Sequence, residues 1–386
     1  AQIQGLAPGG FPSLERLVIS LIPKDVNTYS TKPFTIGAFG DCPALRRIAI
    51  NFSVYPAVAP VAKEDIVKDD MVPLCGGFKI VLQLPWHQLT HILLKGRQSA
   101  TTVNVLMQHI TSVTPPPIQY LAIRPIIGLR QFADRDPPEY AAKWRAIPEV
   151  YLPNLQAFSV STVYIPKLGN HAADLERSIE YTPLFEKVKA PNVRALRLEG
   201  RDLYLQYLPP GQAQQIERVL KGFMQLRSLS ICTSFMDAAS LRGVLHAVPG
   251  VRNLDLEVYA SAVYADVCNL LAAELISELG WMLLPELETI AFDLEAGLKD
   301  DDRWYGVSQA MARLLNARSG GKLSKIILYG TEELLEKVVV PVVEGVEVER
   351  HVPRVRSEPM RPRRWVVRDE DLEDWGEVRC LLDHIC

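Results

Sequence analysis

The chain has 386 residues, 48% of them hydrophobic and 23% charged, and its formal net charge is -3. This composition excludes a disordered chain, and the small net charge excludes a general electrostatic attraction to nucleic acid or to anionic membranes. A chain of this length exceeds the size of one ordinary hydrophobic core, which predicts either two domains or one elongated repeat array.

A short sequence kernel recurs along almost the whole chain. It consists of a Pro or another turn residue followed by apolar-x-x-apolar-x-apolar, and its copies are about 34 residues apart on average. The last two apolar positions have the two-residue period of a strand, so each kernel predicts a short strand whose alternate side chains face outward. In chain order the kernels read FPSLERLVI from Phe11, CPALRRIAI from Cys42, LPWHQLTHILL from Leu84, PPPIQYLAI from Pro115, LPNLQAFSV from Leu152, APNVRALRL from Ala190, FMQLRSLSI from Phe223, VPGVRNLDL from Val248, LPELETIAF from Leu284 and GKLSKIIL from Gly321.

Segments with helical spacing lie between several of these kernels. Strands that alternate with helices predict a parallel sheet with right-handed crossovers. We therefore predict an α/β fold, an irregular leucine-rich-repeat solenoid or horseshoe, with the sheet on its concave face and the helices on its convex face. A doubly wound α/β sheet is the alternative, but it has no repeated kernel. The helical segments are TTVNVLMQHITSV from Thr101, QAQQIERVLKGF from Gln212, DAASLRGVLHAV from Asp237, VCNLLAAELISELGWML from Val267 and RWYGVSQAMARLLNA from Arg303.

The repeat pattern also sets the expected boundaries. It predicts an array of about ten repeats over residues 1–348, with a loop insertion near 53–83 that we expect to contact a partner. Residues 349–386 form a tail that is first basic and then acidic; it either caps the array, pairs with itself, or addresses the nucleus or nucleic acid. Because the first residue is not Met and a kernel begins almost at once, we expect the chain to be a fragment of a longer protein.

Catalytic and metal-binding signatures are missing from the sequence. The motifs of nucleotide-binding proteins, zinc proteases and serine hydrolases do not occur, so we predict a protein that is not an enzyme and has no cofactor or metal. His87 and His91 straddle a predicted strand start, where they would lie about 13 Å apart, and Cys380, His384 and Cys386 lack a fourth ligand. The six cysteines form no Cys-x-x-Cys pair, which favours reduced thiols and a cytoplasmic or nuclear protein.

The outward strand positions are the candidate binding surface, because stacked repeats place them on one face. Their charge is basic toward the N-terminus and acidic toward the C-terminus, which would orient a partner of opposite polarity. The other interpretation is that these charges are merely solvated. The predicted partner-binding residues are Arg16, Arg47, His91, Lys95, Tyr120, Arg124, Arg197, Glu199, Asp255, Glu257 and Asp293.

One kernel carries a family resemblance. LPWHQLTHILL is similar to the strand start LPW-x-QLTH of fungal leucine-rich-repeat proteins of the F-box type, and TTVNVLMQHITSV resembles the helix that follows it there. The resemblance covers roughly residues 11–330. It implies the substrate-recognition region of an F-box-type ubiquitin ligase subunit.

The resemblance does not extend to the F-box helices. A Skp1-type adaptor would therefore bind only through a segment that this chain does not contain. The alternative function is an autonomous leucine-rich-repeat binding or structural protein with no ubiquitin role. With either function we expect a protein partner of unknown identity, and neither a membrane nor nucleic acid.

Overall fold

The structure is a computed structural model with two compact units, Ala1–Asn192 and Val193–Cys386. Both units consist mainly of parallel strands joined by turns and helices. The residues that the structure describes are 10–21, 34–52, 72–73, 79–96, 100–123, 126–127, 147–164, 187–202, 210–233, 238–258, 261–273, 283–294 and 303–352.

Within the described residues, the first unit contains eleven strands and one complete α-helix, α1 (Ala100–Thr111). Each of the five kernels of this unit begins its strand one residue before its second apolar position, for example at Arg16 before Leu17. The strands are β1 (Arg16–Leu21), β2 (Phe34–Ile36), β3 (Arg47–Phe52), β4 (Val72–Pro73), β5 (Lys79–Leu82), β6 (His91–Gly96), β7 (Tyr120–Ile123), β8 (Ile126–Ile127), β9 (Val150–Tyr151), β10 (Ala157–Tyr164) and β11 (Val188–Lys189).

The main sheet of the first unit has the strand order β1-β3-β6-β7-β10, so strands from successive kernels are neighbours. The register pairs equivalent kernel positions: Arg16 lies opposite Arg47, Arg47 opposite His91, His91 opposite Tyr120, and Tyr120 opposite Ala157. A side chain at one kernel position therefore has the same position of the next repeat beside it, about 4.8 Å away.

The second unit repeats this architecture with more regular helices. Its parallel sheet has the order β12-β13-β14-β15-β16-β17. The strands are β12 (Ala195–Asp202), β13 (Ser228–Thr233), β14 (Asn253–Val258), β15 (Thr289–Asp293), β16 (Lys325–Tyr329) and β17 (Glu347–His351). The helices are α2 (Pro210–Leu220), α3 (Ala238–His246), α4 (Ser261–Ala273), α5 (Arg303–Arg318) and α6 (Glu332–Lys337).

The core of the second unit lies between its strands and its helices. One face of the sheet is largely apolar and buried, with Leu256, Phe292 and Leu328 at the same position of three neighbouring repeats. Buried helix residues such as Tyr264 of α4 pack on this face, and the rings of Tyr264 and Phe292 meet edge to face at 5.6 Å. The predicted α/β leucine-rich-repeat fold is confirmed: all ten kernels form strands, and all five predicted helices are present.

Several short elements were not predicted from the sequence, and for two of them the physical reason is clear. Val72–Pro73 and Lys79–Leu82 form short strands inside the expected loop insertion; the second is rich in β-branched residues, which favour strands. Strand β17 runs across the expected array boundary after Val348, and its charged sequence hides it from an apolar pattern. The remaining residues of the insertion, 53–71 and 74–78, and the tail from 353 onward lie outside the described residues.

The turns before the strands are tied to the preceding repeat. The Thr90 N–H donates to the Arg46 carbonyl and the Gln119 N–H to the Thr90 carbonyl, both at 2.8 Å. Side chains add to this ladder: the Gln88 amide Nε2 donates to the carbonyls of Cys42 (2.6 Å) and Leu45 (3.0 Å). Each repeat therefore provides the hydrogen-bond acceptors for the turn of the next one.

Replacing Gln88 with Ala should lower the free energy of unfolding by about 1–3 kcal/mol, because it removes two side-chain hydrogen bonds that join neighbouring repeats. Urea denaturation of the whole chain measures this loss. The matched control is His87→Ala at the exposed neighbouring residue, for which we expect a change within about 0.5 kcal/mol. Equal effects of the two substitutions would contradict the structural role of Gln88.

The side chains of Cys42 and Cys268 are buried free thiols that form no disulfide bond. Burial raises the pKa of both thiols, and for Cys42 the charge of Asp41 raises the pKa further. Because the reactive species is the thiolate, we expect neither thiol to react with iodoacetamide at mildly alkaline pH until the chain unfolds. Peptide mass spectrometry of native and urea-treated protein tests this; labelling of Cys268 in the native protein would contradict it.

Candidate protein-interaction surface

The candidate surface consists of the strand side chains opposite the buried apolar positions, which we call the outward rows. In the first unit the leading row is Arg16, Arg47, His91 and Tyr120, one residue from each of four neighbouring strands. Both arginines are half-buried, whereas His91 and Tyr120 are only 9% and 4% exposed. The part of this row that a partner can reach is therefore its arginine end.

Hydrogen bonding and ring contacts fix the inner end of the same row. The Thr90 hydroxyl lies 2.8 Å from His91 Nδ1, and the rings of His91 and Tyr120 are 6.1 Å apart. Two residues after Arg16, Val18 is 46% exposed on the same face. The described strands of this main sheet contain no Asp or Glu, so this end of the face combines cationic and apolar side chains.

The outward rows of the second unit are polar but mostly buried. Ser228, Ser230 and Asn253 are each less than 9% exposed. The Asn253 amide donates to the Ser228 hydroxyl at 3.1 Å, and the Ser230 hydroxyl donates to Asp255 at 2.9 Å. Since buried polar atoms are costly unless they are hydrogen-bonded, these contacts explain how a polar face is tolerated there.

Charged side chains join the last two strands of the second sheet, β16 and β17. Lys325 is buried; its ammonium forms an ion pair with Glu349 and lies 3.5 Å from Glu347. His351 Nε2 lies 3.1 Å from Glu349, and its ring stacks on Tyr329 with 5.3 Å between centroids. These contacts hold the last strand, β17, on the sheet although it contributes little apolar surface.

The predicted partner-binding residues divide into three groups. Arg16, Arg47 and Asp255 lie on the outward rows and are half-buried. The second group lies on the same rows but is buried, which limits direct contact with a partner: His91, Tyr120, Arg197 and Asp293. The third group has side chains outside the described part of the structure: Lys95, Glu199, Glu257 and, with its backbone also, Arg124. The predicted charge polarity of the face stays a prediction.

Sequence reasoning missed one cationic feature, which lies at the turns and not on the outward rows. The residue directly after the first apolar residue of the kernel is Arg at position 46 and again at 194, 227 and 252. The signal is visible in the strings VRAL, LRSL and VRNL, but the search for strand positions passed over it. This position directly precedes the strand, so its side chain lies at the end of the sheet where the parallel strands begin.

Nothing in the described residues points to a metal or a membrane. His87 is exposed in a short 3-10 helix, Trp86–Gln88, and His91 starts β6. Among the residues that the structure describes, no three His, Cys, Asp or Glu side chains are placed to share a metal ion. Within the same residues, no helix has both the length and the apolar character needed to cross a membrane. Cys380, His384 and Cys386 lie outside the described residues.

No protein-family model and no curated protein matches the sequence. Among solved structures, the chain is similar to the leucine-rich repeat-containing protein LegL7 from Legionella pneumophila, with a TM-score of 0.38 and 12% identity over 87% of this chain and 89% of that one. It is also similar to the chain in the crystal structure of the TLR13-ssRNA13 complex, with a TM-score of 0.32 and 12% identity over 83% of this chain and 38% of that one. These likenesses concern the fold alone.

Proposed function

We propose that the protein is a non-catalytic scaffold that binds a partner protein through its outward rows. The observation that carries this proposal is the register of the parallel strands, which places Arg16 beside Arg47 and continues the same alignment from repeat to repeat. A rigid sheet that presents equivalent side chains in rows offers an extended surface to a macromolecule. The exposed Val18 beside the two arginines adds an apolar contact.

A finer proposal is that the chain is the substrate-recognition region of an F-box-type ubiquitin ligase subunit of the fungal kind, in the cytoplasm or nucleus. It is supported by the resemblance of the LPWHQLTHILL kernel. In this account a Skp1-type adaptor binds through a segment outside this chain, and other subunits transfer ubiquitin. The outward rows would then select the substrate.

One observation favours the second candidate, an autonomous leucine-rich-repeat scaffold with no ubiquitin role. The residues that carry the resemblance have structural tasks: Leu84 and Leu89 are buried, Gln88 ties two turns, and the Trp86 ring stacks on His109 at 4.8 Å. A kernel that serves the fold can occur in repeat proteins of different function. Such a kernel therefore supports the repeat type more strongly than the ubiquitin role.

Affinity purification with mass spectrometry separates these proposals. The complete gene product and this 386-residue chain are purified from cells, each as the unchanged protein and as Arg47→Glu. We expect the chain to retain a protein partner and Arg47→Glu to lose it. Lys189→Glu, an exposed residue of the same unit with the same charge change, should keep it.

The adaptor decides the finer proposal. If a Skp1-type adaptor is retained by the complete product and not by this chain, the ubiquitin ligase proposal is supported. If neither protein retains the adaptor, that proposal is wrong and the autonomous scaffold replaces it. If partners are retained equally by unchanged protein and Arg47→Glu, the outward rows of the first unit are not the binding surface.

A further inference from the structure

Three arginines occupy the same position of three successive repeats in the second unit: Arg194, Arg227 and Arg252. Each directly precedes the strand of its repeat. The Arg227 N–H donates to the Arg194 carbonyl and the Arg252 N–H donates to the Arg227 carbonyl, both at 2.8 Å. Neighbouring strands are about 4.8 Å apart, so the three side chains form a row about 10 Å long across the starts of three neighbouring strands. We call it the turn-arginine row.

Two glutamates, Glu288 and Glu286, lie near this row. The next residue along it is Glu288, 3.6 Å from Arg252, but both side chains are more than 40% exposed, so the pair is weak. The nearby Glu286 is bound by Lys322 at 2.5 Å. Its pKa is lowered by the hydrogen bond from Lys322 and also by the charges of Lys322, Arg252 and Arg227.

Holding three like charges on adjacent strands costs stability, since directly opposed like charges repel. An acidic ligand along the row would remove this repulsion. The side chains of Arg194 and Arg227 are half-buried, and Arg227 Nη1 donates to the Gly250 carbonyl of the next repeat at 3.3 Å. This bond limits the mobility of the Arg227 side chain, so part of the ordering cost of binding is already met.

Exposed apolar residues precede two of the arginines. Met224 stands three residues before Arg227 and is 87% exposed. Pro249 stands three residues before Arg252, at the equivalent position of the next repeat, and is also exposed. A ligand that lies along the row can therefore place carboxylates on the arginines and aliphatic groups on Met224 and Pro249.

We propose that the turn-arginine row, together with Met224 and Pro249, binds an acidic segment of a partner protein in which aliphatic side chains stand beside carboxylates. This inference rests on the proposed function, because it names the chemistry of a protein partner. It places the contact at the end of the sheet where the strands begin, and not on the outward rows. A protein segment fits better than single-stranded nucleic acid, which binds through exposed aromatic rings. Phe223, the aromatic residue of these turns, is buried.

The test uses the full 386-residue chain and fluorescence anisotropy with a short labelled peptide of alternating Glu and Leu. We expect binding that weakens as salt is raised, because the contacts are exposed charge pairs. Arg227→Glu should reduce the affinity about tenfold, and the triple substitution at positions 194, 227 and 252 should reduce it further. The matched control is Arg313→Glu, an exposed arginine on α5, which should bind as the unchanged protein does.

Two further probes complete the test. The same peptide with Gln in place of Glu should bind at least about tenfold more weakly. If it binds equally, or if Arg227→Glu and Arg313→Glu behave alike, the proposal is wrong. If single-stranded oligouridine binds more tightly than the Glu–Leu peptide and is lost with the same substitutions, the row is a nucleic-acid site and the proposal is also wrong.

Failure of this inference can be told apart from failure of the proposed function. A cellular partner that is lost with Arg47→Glu and retained by the triple substitution would overturn the turn-arginine row alone. Thermal unfolding of all variants by circular dichroism provides the check on folding. The arginine side chains of the row are half-buried and lie in turns outside the apolar core, so we expect only small reductions in the melting temperature.

Discussion

Replacing Arg318 with Ala is expected to lower the free energy of unfolding of the second unit by about 4 kcal/mol. Arg318 is 3% exposed at the end of α5. Its guanidinium donates to three backbone carbonyls: those of Leu271 (3.2 Å from Nη2), Leu284 (3.0 Å from Nη1) and Leu283. Without it, these hydrogen bonds to a charged donor are lost, and each contributes about 1.5–3 kcal/mol.

The location of these carbonyls explains why an arginine is needed. Leu271 lies in the last described turn of α4, and Leu283 and Leu284 lie in the turn before β15. Leu284 has a φ of 50°, a left-handed conformation that is strained for a residue with a side chain. One forked guanidinium thus joins α4 to the strained turn that leads to β15.

Urea denaturation and hydrogen exchange measure the Arg318 effect. Arg318→Lys should lose an intermediate amount, because an ammonium cannot donate in the same forked geometry. Arg313→Ala, at an exposed position of the same helix, should stay within about 0.5 kcal/mol of the unchanged protein. A loss below about 1 kcal/mol for Arg318→Ala would show that the three hydrogen bonds are not needed for stability.

Replacing Phe292 with Ala is expected to cost about 3–5 kcal/mol. Phe292 is fully buried in β15 and meets the ring of Tyr264 edge to face. The Tyr264 hydroxyl donates to the carbonyl of Asp293, so this aromatic pair fastens α4 to the strand. Removal of the ring leaves a cavity, and the edge-to-face contact is also lost.

Hydrogen exchange detected by mass spectrometry is the measurement for Phe292→Ala. Because each repeat contacts mainly its neighbours, protection should fall in α4, β15 and α5, while α1 in the first unit keeps its protection. Phe292→Leu, which keeps most of the volume, should cost about 1–2 kcal/mol. Uniform loss of protection in both units would contradict this local response.

The repeat fold was predictable from sequence because the same apolar kernel recurs ten times along the chain. The apolar pair of each kernel, for example Leu254 and Leu256, faces the core with a period of two, and the register then follows from the repetition. A pattern of this kind does not reveal strands whose stability comes from charge. Strand β17 is one such case, because its Glu347 and Glu349 pair with the buried Lys325 of β16.

The candidate surface was predictable only in part. Alternation correctly placed Arg16 and Asp255 opposite the apolar positions, but it gave no measure of crowding, so the burial of Arg197 and Asp293 could not be foreseen. Arg318 was invisible for a related reason, since arginine is usually exposed and its carbonyl acceptors lie far away in sequence. The turn-arginine row was visible as a recurring Arg but needed the backbone ladder to become a continuous row.

Site-specific photo-crosslinking in cells tests the scaffold proposal most directly. A photoreactive phenylalanine replaces Val18, an exposed apolar residue of the outward rows, and in a separate variant replaces Tyr305, which is 72% exposed on α5. We predict a discrete crosslinked protein from position 18 that disappears when Arg47→Glu is added, and none from position 305. Crosslinks from position 305 and none from position 18 would contradict binding through the outward rows.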